Sequence, residues 1–126
     1  MKCEMCDRPN KWSNWDIKEY RYWRVGLHPD QRYLGRSLIM LNRHAEDLLE
    51  MTQEERGELF QILRMLTDAL TKLFSPNKFN YASLGNEMPH LHLHVIPRYA
   101  SPRQFEEIKS MLEHIKTLVK EKNNNV

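Results

Sequence analysis

The stretch His90-Leu91-His92-Leu93-His94-Val95-Ile96 decides the fold. Three histidines alternate with apolar residues, and strict alternation is typical of a half-buried strand. Since successive side chains of a strand point to opposite faces, the leucines and Val95 should face the core and all three imidazoles the other side. At a rise of about 3.3 Å per residue, neighbouring imidazoles should lie about 7 Å apart and the outer two about 13 Å apart. His90 and His94 therefore cannot share one metal ion.

This row of histidines has three interpretations. It could be purely structural, or it could be a metal site without catalysis, held by a neighbouring pair such as His90 and His92. A surface for a polyanion is the third interpretation, and it accounts for all three imidazoles at once. We therefore interpret the stretch as the strand of an active site.

The composition bounds the class of protein. A chain of 126 residues is long enough for one domain with a proper core, and 40% hydrophobic with 29% charged residues is typical of a soluble globular protein. The net charge of +2 does not indicate a large nucleic-acid surface or a polybasic membrane anchor. No apolar run could span a bilayer, and the first residues lack the apolar core of a signal peptide. We expect a single domain over residues 1–126, in the cytoplasm and without a membrane partner.

Cys3 and Cys6 are the only two cysteines, in a Cys-x-x-Cys spacing. In a reducing compartment this spacing favours a metal site or a redox pair over a structural disulfide. A thioredoxin-like redox pair needs a strand before it, so we favour metal. Two thiolates supply half of a tetrahedral zinc site, and two more ligands must come from elsewhere. Two idle thiols at a frayed terminus are the alternative. Residues 1–19 are thus predicted to be a zinc-knuckle and loop segment.

The strands follow from hydrophobic patterning. Residues 7–19 are polar and turn-rich and predict a loop. Residues 20–27 and 34–42 predict two strands, and residues 79–84 predict a third. Because only a short connection joins that third strand to the histidine strand, the two should pair antiparallel.

The helices follow from capping and apolar stripes. Residues 47–49 predict a short helical turn, and Thr52 with Glu55 has the spacing of a capping box, so a helix should follow and continue to Phe74. A C-terminal helix is predicted from an apolar stripe, and the tail at 120–126 should fray. That stripe comprises Phe105, Ile108, Leu112, Ile115 and Leu118. The fold class is α+β: an antiparallel sheet of about five strands, with a long central helix and a C-terminal helix packed on one face.

A histidine row of this kind suits phosphorus chemistry. A neutral imidazole is a good nucleophile near pH 7, because the ordinary pKa of the group is about 6.5. Its attack on a phosphate ester or anhydride gives a phosphohistidine, which water then cleaves. Donors for the phosphate oxygens could come from the amides around Gly85 and Asn86, where glycine allows close backbone approach.

The histidine stretch resembles the defining motif of the histidine triad (HIT) superfamily, His-φ-His-φ-His-φ-φ, without departure. Residues 34–39 and 42–44 resemble the second conserved strand of the family and its closing histidine, and residues 52–55 resemble the start of its long helix. Residues 80 and 85–86 resemble the segment leading into the triad, and residues 97–98 resemble a fragile-histidine-triad ending. The resemblance covers most of the chain and implies a HIT-like fold.

The resemblance also implies an activity. Relatives are nucleotide hydrolases or transferases that act at the α-phosphate of an adenylyl-type, AMP-containing substrate. By position in the motif, His92 is similar to the family nucleophile that forms a nucleotidyl-histidine intermediate, and His90 and His94 would orient it and contact phosphate. The residues that would contribute contacts to the substrate are Asn80, Gly85, Asn86 and Arg98.

Two departures from the family pattern bear on the substrate. Arg36 stands where many members have histidine, and Glu87 stands where the Hint branch has serine. An acid at that position argues against a Hint-type nucleoside phosphoramidase and favours a dinucleoside polyphosphate such as diadenosine tetraphosphate. The other alternative is a non-catalytic, zinc-stabilised nucleotide-binding module. An aprataxin-like DNA deadenylase is disfavoured because no basic extension is present, so nucleic acid is not expected as a partner.

The resemblance completes the metal site as well. Some relatives pair an N-terminal Cys-x-x-Cys with two histidines, which here implies a zinc ligand set of Cys3, Cys6, His44 and His90. Such a closed set is structural in type, and it commits His90 to metal while His92 stays free. Relatives are commonly homodimers, which makes a homodimer the expected assembly. Whether magnesium accompanies the substrate is left open.

Overall fold

The structure, a computed structural model, describes residues 3–100 and 112–119. Five strands form one antiparallel sheet, and a 22-residue helix is the longest element. In chain order the elements are β1 (Asp16–Glu19), β2 (Trp23–Leu27), β3 (Ser37–Leu41), α1 (Gln53–Phe74), β4 (Lys78–Ala82), β5 (His92–Arg98) and α2 (residues 112–119), with 3₁₀ turns at Ser13–Trp15 and Leu48–Glu50. The strand order is β1-β2-β3-β5-β4. The predicted α+β class is confirmed.

Strand β5 begins at His92, two positions later than the alternation predicts. His92 and His94 lie on the strand, opposite Met40 and Leu38 of β3. His90 precedes the strand, because its backbone N–H is donated to the carbonyl of Met88 (2.8 Å) in a bend rather than to a neighbouring strand. Both leucines of the stretch pack in the core as predicted, and Val95 is fully buried there.

The capping box predicted for α1 is present. The amide of Glu55 donates to Thr52 Oγ1 (3.1 Å), and the amide of Thr52 donates to Glu55 Oε1 (2.8 Å), so two amides at the start of the helix are satisfied reciprocally. The helix ends at Ser75, which adopts the left-handed conformation with φ 49°. The 3₁₀ turn just before α1 confirms the short helical turn expected there.

One face of the sheet packs against both helices. Leu59, Ile62, Leu66 and Leu70 of α1 are buried there, and α2 adds three apolar side chains to the same core. Those three are Leu112, Ile115 and Val119. Phe105 and Ile108, predicted for the same stripe, and the tail at 120–126 lie outside the described residues.

The N-terminal segment covers the opposite face. Met5 and Trp12 are buried against Leu38 and Met40 of β3. Arg24 of β2 is also buried on this side, where its Nη2 donates to the carbonyl of Met5 (3.0 Å).

The sequence prediction of a loop over 7–19 is wrong at its end, because residues 16–19 form an edge strand. A four-residue strand with one buried side chain has too little alternation to be recognised.

Among the residues that the structure describes, no helix combines the length and the apolar character needed to cross a membrane.

Candidate active site and metal centre

Two thiol and two imidazole side chains meet at one edge of the sheet face that the N-terminal segment covers. The Sγ of Cys3 lies 3.3 Å from Nδ1 of His90, and the Sγ of Cys6 lies 3.5 Å from Nδ1 of both His90 and His44. All four candidate ligand atoms lie within 4.8 Å of one another. The ordinary Zn–S and Zn–N bond lengths place the ligands of a tetrahedral zinc ion about 3.4–3.8 Å apart, so these separations suit such an ion.

Both histidines of this cluster have their outer nitrogens engaged. Nε2 of His90 donates to the carbonyl of Leu41 (2.7 Å), and Nε2 of His44 lies 3.4 Å from a carboxylate oxygen of Glu46. With the proton held on Nε2, each ring directs the lone pair of Nδ1 toward the sulfurs. A carbonyl or carboxylate behind a histidine is the usual arrangement at metal sites. The cluster of Cys3, Cys6, His44 and His90 could therefore bind a metal ion.

The next histidine, His92, has the opposite tautomer. Its Nδ1 lies 2.6 Å from the carbonyl oxygen of His90, and because a carbonyl can only accept, Nδ1 must carry the proton. The lone pair of the neutral ring is then on Nε2. Among residues 3–100 and 112–119 this Nε2 has no hydrogen-bond partner. His92 thus presents an available nitrogen lone pair.

His94 lies beside His92, with ring centroids 5.1 Å apart. This is closer than the 7 Å predicted from the strand rise, because the rings lean together edge to face at 67°. Nδ1 of His94 lies 3.2 Å from Nη2 of Arg36. Burial, with the nearby His92, Arg36 and His28, lowers the pKa of His94 to about 4. The ring is therefore neutral near pH 7.

A cavity of about 740 Å³ opens beside these two rings. Its polar lining includes Lys11, Arg36, Asn86 and Glu87. Its apolar and aromatic lining comes from the N-terminal segment, β3 and the loops before β3 and β5: Met5, Trp12, Pro29, Leu38, Leu84 and Met88. An apolar wall beside a few convergent polar groups is typical of a small-molecule site.

The loop before the triad borders this cavity. Gly85 has φ +74°, a conformation that L side chains rarely adopt, which accounts for glycine at this position. Gly85 and Asn86 both line the cavity, where the sequence analysis expected substrate contacts. A smaller hollow of about 170 Å³, bordered by Ser83 and His90, lies next to the same loop.

Two predicted substrate residues lie elsewhere. Asn80 on β4 and Arg98 on β5 are diagonal neighbours, because Asn80 lies opposite Ile96, and Nη1 of Arg98 donates to Oδ1 of Asn80 (3.0 Å). The Arg98 guanidinium also lies over the ring of Tyr33, 4.8 Å from its centroid. Neither residue is among those lining the cavity. Their assignment to substrate binding stays a prediction without a contact to support it.

Sequence reasoning missed several residues of the site. His28 lines the cavity with its ring centroid 5.9 Å from that of His94, whereas its local sequence predicts only a turn. Trp12, in the predicted loop, and Met5, between the two cysteines, also line the cavity from the N-terminal segment. Buried Arg24 supports that segment from beneath. An arginine within an apolar strand pattern was the one available signal, since a buried charge needs a partner.

The sheet, the histidine row and the bordering cavity define the class of histidine triad proteins. Residues 19–101 match the family model of the HIT domain, which is more than half of the chain, so the chain belongs to the HIT family.

One curated relative is bis(5'-nucleosyl)-tetraphosphatase (asymmetrical) of Schizosaccharomyces pombe, which is 30% identical over 69 residues. The match covers 51% of this chain and 38% of the relative, so the chain spans well under half of that protein's length.

Solved structures share the fold at low sequence identity. A histidine triad protein from Bradyrhizobium japonicum has a TM-score of 0.73 at 19% identity, with 82% of this chain and 89% of that chain covered. A zinc-bound histidine triad family protein from Mycobacterium smegmatis has a TM-score of 0.70 at 17% identity, with 88% and 87% covered. These likenesses show the fold.

Proposed function

We propose that the chain is a nucleotide hydrolase that cleaves at the α-phosphate of an adenylyl-type nucleotide through a nucleotidyl-histidine intermediate on His92. A dinucleoside polyphosphate, such as diadenosine tetraphosphate, is the favoured substrate. The observation that carries the proposal is the state of His92: its proton is held on Nδ1 by the carbonyl of His90, and Nε2 is left available beside the cavity.

The chemistry takes two steps. Nε2 of His92 attacks the α-phosphorus, the new N–P bond forms, and the bond from phosphorus to the leaving-group oxygen breaks with its electron pair going to that oxygen. The positive charge that develops on the ring is stabilised by the Nδ1–H donated to the His90 carbonyl. Water then attacks phosphorus, loses a proton, and displaces His92 as a neutral ring.

The surroundings favour a polyphosphate substrate. Arg36 and Lys11 line the cavity and provide positive charge for phosphate oxygens. Gly85 and Asn86 border the same space and would donate to them. The Schizosaccharomyces pombe relative is named for bis(5'-nucleosyl) tetraphosphate, which supports the same class. Magnesium, if it takes part, would enter bound to the polyphosphate.

The test compares wild type with His92→Ala on diadenosine tetraphosphate and on an adenosine phosphoramidate, with products resolved by chromatography. We expect wild type to favour the polyphosphate and the variant to lose roughly 10³-fold or more in kcat. Faster turnover of the phosphoramidate would indicate a Hint-type enzyme instead. Equal inactivity of both proteins, together with retained AMP binding, would indicate a non-catalytic nucleotide-binding module.

We also propose that the metal of the Cys/His cluster is zinc. Two sulfurs and two Nδ1 atoms form a donor set that zinc prefers, and the outer hydrogen bonds of both histidines suit metal ligation. A bound zinc ion would cross-link the N-terminal segment to His44 and His90 and would have no open position for catalysis. Its contribution is structural.

Metal analysis tests the zinc proposal. Purified wild type should contain about one zinc ion per chain by mass spectrometry of the elements, since one closed site is proposed. Cys3→Ala should contain far less. Metal-free wild type would overturn the proposal.

We also propose that the protein is a homodimer and that it acts in the cytoplasm. β4 lies at one edge of the sheet, and Tyr81 on it is 52% exposed. An edge strand can pair with the same strand of a second copy and extend the sheet. Sedimentation analysis should give the mass of two chains, and a single-chain mass at micromolar concentration would contradict the dimer.

A further inference from the structure

Arg36 is held in place by a rigid loop between β2 and β3. The buried side chain of Gln31 donates to the carbonyls of His28 (2.6 Å) and Arg36 (2.8 Å) and accepts from the amide of Gly35 (2.8 Å). Gly35 has φ +93°, and a Cβ there would lie only 2.9 Å from Leu70, so the backbone before Arg36 is fixed against α1. The position of the Arg36 side chain is thus set from its own backbone.

The guanidinium of Arg36 contacts His94 on one side and a carboxylate on the other. Nη2 lies 3.2 Å from Nδ1 of His94, and Nη1 lies 3.9 Å from a carboxylate oxygen of Asp30. The Arg36 side chain is only 20% exposed. Because a guanidinium has donors and no acceptor, Nδ1 of His94 must accept. The one proton of the neutral ring is then on Nε2.

Burial, together with the charged and titratable groups that face His94, lowers its pKa and keeps its ring neutral. These groups come from two parts of the fold: His92 lies on β5, and His28 and Arg36 lie at the two ends of the loop between β2 and β3. His28 cannot accept the proton of His94 through its Nδ1, because that atom already accepts from the amide of Asp30 (3.0 Å). With Nδ1 occupied by Arg36, Nε2–H is the group that His94 can offer to a ligand in the cavity.

We propose that Arg36 is a positioning residue that gives His94 the opposite tautomer to His92. The His90 carbonyl makes His92 a ring with a free lone pair, and Arg36 makes His94 a ring with a free N–H. Two adjacent imidazoles of the same strand are thereby assigned to different tasks: His92 attacks phosphorus, and His94 donates to a phosphate oxygen. The assignment of tasks rests on the proposed function, whereas the tautomers rest on the geometry alone.

The test reads the tautomers directly. Protein labelled with ¹⁵N at histidine is measured near pH 7.5 by long-range ¹H–¹⁵N correlation, which distinguishes Nδ1–H from Nε2–H rings. The His94 signals are assigned by their loss in His94→Gln. Wild type should show His94 with the proton on Nε2, and Arg36→Met should shift His94 toward the Nδ1–H form. Arg32→Met is the matched control, because Arg32 binds the same Asp30 without contacting His94.

Activity provides a second reading. With diadenosine tetraphosphate, Arg36→Met should lower kcat roughly 10- to 100-fold, by analogy with the loss of the outer hydrogen-bond partner of a metal-ligating histidine. The proposal is overturned if wild-type His94 carries its proton on Nδ1. It is also overturned if Arg36→Met leaves the tautomer unchanged, or if Arg32→Met shifts it equally. An inactive wild type with the expected tautomers would remove the proposed function and leave the positioning role intact.

Discussion

The two faces of the sheet are covered in different ways. Among the residues that the structure describes, the helical face holds eighteen buried ones, almost all of them aliphatic. On the opposite face, Met5 and Trp12 of the N-terminal segment are buried against Leu38 and Met40, and the polar side chains of Arg24 and His92 are buried as well. Burial of apolar surface is the main source of stability, so the helical face stabilises the fold. The thinly covered face keeps an open cavity.

A thin cover needs another source of stability. Short segments with few apolar residues are commonly held by a metal or a disulfide, because they cannot bury enough surface to offset the loss of chain entropy. Here the Cys/His cluster stands at the edge of the cover, and two of its members, Cys3 and Cys6, come from the covering segment itself. The helical face therefore stabilises the fold through its apolar core, whereas the N-terminal segment on the opposite face depends on the proposed metal.

Loss of the metal should have the largest effect and should be confined to the cavity face. Cys6→Ser removes one ligand, so we expect it to lose zinc, to free the segment carrying Met5 and Trp12, and to weaken AMP binding by about tenfold or more, which corresponds to about 1.4 kcal/mol. Far-UV circular dichroism should still report α1. Asp7→Asn, on the same segment, should keep both zinc and affinity. Unchanged AMP affinity in zinc-free Cys6→Ser would show that the N-terminal segment keeps its position without the metal.

A substitution that creates a cavity in the core on the helical face should have the opposite effect: it should lower stability and leave the metal and nucleotide sites unchanged. Leu66 is 1% exposed, and Leu66→Ala should lower the free energy of unfolding by about 2–5 kcal/mol in urea titrations. Zinc content and AMP affinity of the folded protein should not change. Phe60→Ala on the exposed side of the same helix is the control, expected within about 0.5 kcal/mol of wild type. Loss of zinc from folded Leu66→Ala would show that the two faces are coupled.

Acid should lower the free energy of unfolding through His94, which lies on the face of the sheet that borders the cavity. Burial lowers the pKa of His94 to about 4, whereas the ordinary value is 6.5. Between these pH values the unfolded chain binds a proton that the folded chain does not, so the contribution of His94 to stability is complete above about pH 6.5 and is lost as the pH falls through about 4. Urea midpoints measured from pH 7 to 4 should fall less steeply in His94→Gln. Equal slopes would contradict this sign.

The difference between the two faces of the sheet also explains which parts of the structure could be predicted from the sequence. The helical face follows local rules: the capping box of Thr52 and Glu55 and the alternation of Leu93 and Val95 are readable in a few residues. The cavity face depends on contacts between distant residues. His28 lies 5.9 Å from His94, which is far along the chain, and no local pattern reveals that contact. The segment with Trp12 has no periodicity at all, so its place on the sheet could not be foreseen.

The smallest effect is expected at a position that the family resemblance assigned to the substrate. Arg98 lies outside the cavity, paired with Asn80 and stacked on Tyr33 at the surface. Arg98→Ala should therefore change AMP affinity by no more than about twofold, as for other surface substitutions. Asn86→Ala is the matched comparison, since Asn86 lines the cavity and its loss should weaken binding more in the same calorimetric titration. If Arg98→Ala weakened binding as much as Asn86→Ala, the site would extend across β4 and β5, as the resemblance implies.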